Sequence, residues 1–92
     1  MISSFKTEDT ERLFNDERVR KWQPVESVAR RKLYMIHSAK QLEDLKSPPG
    51  NRLHKLAGNR RGQHAIRIND QYRVCFVWRN GNAHDVEITD YH

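Results

Sequence analysis

A single cysteine, Cys75, stands among the 92 residues, so the chain carries no disulfide framework and no cysteine-based metal site. No apolar run approaches the roughly 20 residues that a bilayer-spanning helix requires, and the N-terminal stretch lacks the apolar core of a secretory signal. These absences lead us to expect a reducing, cytoplasmic setting and no membrane partner. Internal repeats and low-complexity tracts are missing too. The histidines show no ligand spacing such as His-x-x-x-His, so neither a metal nor a cofactor is expected. Acids are scarce in one third of the chain: between Gly50 and Arg79, Asp70 stands alone against Arg52, Lys55, Arg60, Arg61, Arg67, Arg73 and Arg79. That segment carries a net +6, which leaves the rest of the +5 chain at −1. Such asymmetry suits a surface that meets polyanions, because each Lys or Arg set on a phosphate releases condensed counterions. The competing reading is a solubilising surface of Arg stems laid over apolar strands.

What is present suffices for one small core. Hydrophobic residues make up 36% and charged residues 32%, wetter than an average globular chain but foldable as a single domain over residues 1–92. Ile2 and Phe5 suggest a short first strand. Thr7 is placed to cap a helix, with Glu8 and Asp9 where the helix dipole favours acids and Leu13 and Phe14 as its buried residues. Pro24 suits the first turn of a second helix, in which Val28, Ala29, Leu33 and Ile36 recur at spacings of three and four up to about Ala39. Arg30, Arg31 and Lys32 then read as a solvated helix face. Leu42 and Leu45 continue into a shorter turn, and Ser47-Pro48-Pro49-Gly50 is expected to end helical structure.

Beyond Gly50 the pattern changes to alternation. His64, Ile66 and Ile68 share one face against Ala65 and Arg67; Asn69-Asp70 supplies a turn. Tyr72, Val74, Phe76 and Trp78 then oppose Arg73, Cys75, Val77 and Arg79. Asn80-Gly81 signals a type I′ hairpin, and Val86 and Ile88 lead into Asp90. The expected fold is α+β: an N-terminal strand and two helices packed on one face of an antiparallel sheet, whose other face stays wet and carries Arg67 and Arg73.

A sheet face with Arg67 and Arg73, and Lys55 and Arg60 on the loop before it, suits a phosphodiester, since Arg contacts two non-bridging oxygens and neutralises charge developing at phosphorus. His54, entering the sheet, and His92, beyond its last strand, are the acid and base candidates, because imidazole works as either near neutral pH. RNA brings its own nucleophile in the 2′-hydroxyl, so a metal-free nuclease needs only a base, an acid and a charge stabiliser. His37, His64 and His84 read as structural. From the residues alone this is an RNA-binding α+β domain with candidates for nuclease chemistry.

The run Pro49-Gly50-Asn51-Arg52-Leu53, the Leu56-x-Gly58-x-Arg60 turn, the stretch Ile68 to Phe76 and the terminal Asp90-Tyr91-His92 resemble those of HigB toxins, members of the RelE superfamily of bacterial type II toxin–antitoxin systems. The resemblance runs from Met1 to the end. It implies a RelE-like fold and an mRNA endonuclease that enters the vacant A site of the 30S subunit in the 70S ribosome. Cleavage by 2′-hydroxyl attack would leave a 2′,3′-cyclic phosphate. It also implies catalytic roles for His54, Asp90, Tyr91 and His92, a phosphate-facing role for Arg73, and a HigA-like helix-turn-helix antitoxin as partner. Ala57 departs from the pattern, since some members carry a lysine there; Lys55 or Arg67 are the candidates to compensate. Two rivals stand beside this reading. One is a non-catalytic module that blocks translation by occupying RNA or the ribosome; the other is a gyrase poison of the same superfamily, against which Asp90-Tyr91-His92 argues.

Overall fold

In a computed structural model the described residues are 1–90, so Tyr91 and His92 lie outside them. The chain forms helix α1 (Glu8–Phe14), helix α2 (Glu26–Ser38) and then strands β1 (His54–Lys55), β2 (His64–Arg67), β3 (Tyr72–Arg79) and β4 (Asn82–Asp90). The strands pair antiparallel in the order β1-β2-β3-β4. Both helices contact β4, and α2 also meets β3. The expected α+β arrangement is therefore present.

The core follows the two periodicities of the sequence. Ala29, Leu33 and Ile36 form the buried stripe of α2, Leu13 joins them from α1, and Ile66, Val74, Phe76, Val86 and Ile88 supply the sheet side. Burying one such Leu, Ile or Phe contributes about 1.5–3 kcal/mol, so this cluster is what holds the helices on the sheet. Asn80 and Gly81 take φ of 54° and 78°, as a type I′ hairpin requires, and Arg79 pairs with Asn82 across it.

Several local expectations need correction. Met1 to Phe5 forms no regular strand; it lies parallel to β4 through bridges at Ile2–Ala83 and Phe5–Val86. The reason is local: β4 bulges there, with Asp85 at φ 53° and its N–H bonded to Ser4 Oγ at 2.9 Å. Thr7 does precede α1, but its hydroxyl pairs with that of Thr10 at 2.7 Å instead of capping the backbone. Pro24 sits in a 3₁₀ turn over Arg20–Val25, and α2 begins only at Glu26. A further 3₁₀ turn, Pro49–Asn51, forms where helical structure was expected to cease, because a proline at a first turn forfeits no ladder bond.

The solvated face of α2 is also not as expected. Arg31 is exposed, but Arg30 turns back to donate to the carbonyls of Leu13, at 2.9 Å, and Glu17, at 3.2 Å, tying the end of α1 to α2. Lys32 is only 6% exposed and donates to Asn51 Oδ1. The far face of the sheet is not uniformly wet: Ala65 and Cys75 are fully buried and Glu87 nearly so, with Arg60 bonded to Glu87 at 2.7 Å.

Candidate active site

The pleat decides which candidates meet. His54 stands opposite Ala65, Ala65 opposite Cys75, and Arg67 opposite Arg73, which in turn faces Thr89. Directly paired residues share a face, and so do residues two apart along a strand. His54, Arg67 and Arg73 therefore lie on one face, the one turned away from the helices. His54 is in an edge strand rather than on a loop, which fixes its backbone.

Two of these, His54 and Arg67, gather with Arg52 and Asp70 at one open cleft of about 350 Å³. His54 is exposed, and its Nδ1 lies 2.7 Å from the Arg52 carbonyl. A carbonyl only accepts, so Nδ1 must carry the proton. In the neutral ring Nε2 is then the free base. The Arg52 carbonyl is aimed by an unusual backbone: Arg52 is left-handed, at φ 48° and ψ 49°, directly after the Pro49–Asn51 turn. Arg67 pairs with Asp70, whose side chain is 98% exposed. Such a pair is weakly held, so a phosphate can compete for the guanidinium. Arg73 donates from Nε toward Thr89 Oγ1 at 3.4 Å.

Other candidates lie elsewhere. Lys55 is opposite His64, on the pleat face that carries Phe76, so alternation separates it from Arg67 and Arg73. Asp90 is opposite Tyr72 and accepts from Gln71 Nε2 at 3.2 Å, which also assigns it by register to the helix-side face. Arg60 is in the Gly58–Arg60 turn and bonds Glu87 and Gln63; the Glu87 hydrogen bond is the main reason its guanidinium pKa is raised. Tyr91 and His92 fall outside the described residues. Among the described residues no cluster of His, Cys, Asp and Glu has the make-up of a metal site.

Sequence reading missed Arg52 and Asp70 as members of the cleft. Asp70 was legible only as a turn former, and nothing in the residue type of Arg52 announces a left-handed backbone. The nearest available signal was the position of Arg52 just after a double-proline turn and two residues before His54.

A family model described as "RelE-like toxin of type II toxin–antitoxin system HigB" matches residues 3–92. The chain belongs to this HigB-like toxin family. Among its relatives, Toxin HigB-1 of Vibrio cholerae is 38% identical over 85 residues, covering 90% of each chain. Endoribonuclease HigB of Proteus vulgaris is 32% identical over 94 residues, spanning all of both chains. A crystal structure of a YafQ mutant from E. coli superposes with a TM-score of 0.69 over 99% of this chain and 94% of that one, at 8% identity, which supports the fold. As a HigB-like toxin the chain is one half of a two-component system, and its partner is an antitoxin. Among the described residues no helix is long and apolar enough to cross a membrane.

Proposed function

We propose that this HigB-like toxin is a metal-independent endoribonuclease of a single domain, residues 1–92, acting in the cytoplasm on mRNA in the A site of the ribosome. The observation that carries the reading is His54, proton-bearing at Nδ1 and basic at Nε2, set in a cleft beside Arg52 and Arg67. The similarity to Endoribonuclease HigB of Proteus vulgaris supports the same chemistry.

In the proposed reaction Nε2 of His54 takes the proton of the RNA 2′-hydroxyl, and the oxygen attacks the adjacent phosphorus. Arg67 and Arg73 offset the charge that builds on the non-bridging oxygens, while Asp70 gives up Arg67 to the phosphate. The P–O5′ bond then breaks, and the departing 5′-oxygen takes a proton from an acid, for which His92, with Tyr91, is the candidate carried by the family resemblance. The products are a 2′,3′-cyclic phosphate and a 5′-hydroxyl. Asp90 is assigned to orient that end of the site and Lys55 to add positive charge beside the cleft, while Arg60 stays with Glu87. The antitoxin is proposed to be a HigA-like helix-turn-helix protein.

Induced expression in bacteria with mapping of mRNA 5′ ends tests this. Cuts should appear within translated codons and disappear with His54→Ala and His92→Ala. Growth arrest with intact mRNA, indifferent to both substitutions, would replace catalysis by occupancy of the ribosome.

A further inference from the structure

The residues that hold His54 do not end at Arg52. Asn51 is fully buried, and its Nδ2 donates to the carbonyls of Leu45, at 3.1 Å, and Ser47, at 3.3 Å. Its backbone N–H closes the turn on the Pro48 carbonyl at 2.9 Å, and the Arg52 N–H does the same on Pro49 at 3.1 Å. The one remaining polar atom of the Asn51 side chain, Oδ1, accepts from the ammonium of Lys32 on α2. A chain of contacts thus runs from a helix of the core, through a buried amide, to the left-handed residue whose carbonyl grips the His54 ring.

We propose that Lys32 is a positioning residue for His54: its ammonium fixes Asn51, and Asn51 fixes the Arg52 carbonyl that keeps the imidazole protonated at Nδ1 and basic at Nε2. The inference rests on the nuclease reading for its effect on rate, but not for its effect on the ring.

The location of Lys32 makes this more than packing. A lysine is strongly hydrated, and keeping one 6% exposed sacrifices much of that hydration. Burial, first, and then the nearby charges of Arg31 and Arg67 lower its pKa. An apolar residue would fill the same position at less cost in desolvation, but it could not engage Asn51 Oδ1. Without that contact the Pro49–Arg52 turn keeps its local hydrogen bonds, but its only remaining polar tie to α2 among the described residues is the weak contact of Asn51 Nδ2 with Met35 Sδ at 3.8 Å. The carbonyl then wanders relative to β1, and a misplacement of about 1 Å at a catalytic group costs up to roughly a hundredfold in rate.

The test compares the full-length wild type with Lys32→Met and Lys32→Arg, each checked for folding by thermal melting. The first measurement is the ¹⁵N NMR signature of the His54 ring above its pKa. Wild type is expected to show the Nδ1–H tautomer, Lys32→Met a shift of population toward Nε2–H, and Lys32→Arg the wild-type state. The second is cleavage of mRNA on programmed ribosomes, where Lys32→Met should slow the saturated rate roughly tenfold to a hundredfold with little change in half-saturating concentration. Arginine should restore most of it. Should Lys32→Met not fold, Lys32→Gln, neutral and shorter, takes its place with the same expectations. A wild-type ring protonated at Nε2, or a folded neutral variant with an unchanged tautomer, overturns the proposal. If the tautomer shifts but wild type cuts no RNA, the positioning stands and the nuclease reading falls.

Discussion

Asp70 shows how a single exposed side chain tunes the cleft. It is paired to Arg67 and almost fully solvated, so the pair is worth at most about 1 kcal/mol. Its negative charge nonetheless lines the cleft proposed to take the phosphate. Asp70→Asn is therefore expected to lower the half-saturating RNA concentration by up to roughly fivefold while leaving the saturated rate near wild type. Titration of cleavage against programmed ribosomes measures it; weaker binding in this variant would mean that Asp70 holds Arg67 in place rather than guarding it. His64 offers a residue-scale effect on stability. Neither ring nitrogen has a hydrogen-bond partner among the described residues, and the ring stacks on Phe76 at 6.2 Å. Burial, first, with the charges of Lys55 and His54 after it, lowers the His64 pKa below 6.5. The unfolded chain, with an ordinary histidine, binds its proton as pH drops through about 6.5, whereas the folded protein resists. His64 therefore withdraws stability as pH falls below that point and none above it. His64→Phe should flatten the loss of urea midpoint between pH 7.5 and pH 5.5 relative to wild type; an unchanged pH profile would show that the ring titrates freely in the fold.

At the scale of elements, the hairpin between β3 and β4 joins the two longest strands and carries Arg73 and Thr89 into register. Gly81, at φ 78°, sits where a side chain meets only the Lys40 carbonyl, at 3.9 Å, so the obstacle to substitution is the backbone and not space. Gly81→Ala is expected to cost about 1–2 kcal/mol, read as a lower urea midpoint, with cleavage by the folded fraction unchanged. Elements of this kind were legible in the sequence because their signals are local: Asn80-Gly81 for the turn, the alternation from Tyr72 to Trp78 for β3, the spacing of Ala29, Leu33 and Ile36 for α2. Arg67 and Arg73 were legible as a pair because pleating follows from alternation, whereas His54 was legible only by its imidazole and its place before the sheet, and the pairing with Ala65 is what brings it to their face. What could not be read depends on partners far along the chain. Lys32 looks like a surface lysine until Asn51, beyond a double-proline turn, is brought beneath it. Arg60 looks like a free cation until β4 delivers Glu87. Lys55 was read from its place before the sheet and Asp90 from the family resemblance; which face each takes depends on register, since a one-residue step along a strand moves a side chain to the opposite face.

For the whole molecule, the formal +5 is a poor measure of the charge that RNA meets. Of the basic residues, Arg30 is spent on the end of α1, Lys32 on Asn51 and Arg60 on Glu87, whose carboxylate also lies 3.9 Å from Lys6. Cations held inside the fold reach no phosphate, so they should be silent in the salt dependence of binding. Arg52 and Arg67, which line the cleft, should not be. For single-stranded RNA each phosphate contact contributes about 0.7 to the slope of log affinity against log salt. Arg52→Ala and Arg67→Ala are each expected to reduce that slope by roughly this amount, measured by fluorescence anisotropy on a short uncleavable RNA with 2′-deoxy substitution. Arg60→Ala should leave the slope nearly unchanged and lower the urea midpoint instead, because it strands the nearly buried Glu87 without its closest cation. The two outcomes separate charge that binds from charge that folds. A slope that falls with Arg60→Ala as far as with Arg67→Ala would place the Gly58–Arg60 turn on the RNA path, with the nucleic acid displacing Glu87 as it is proposed to displace Asp70 in the cleft.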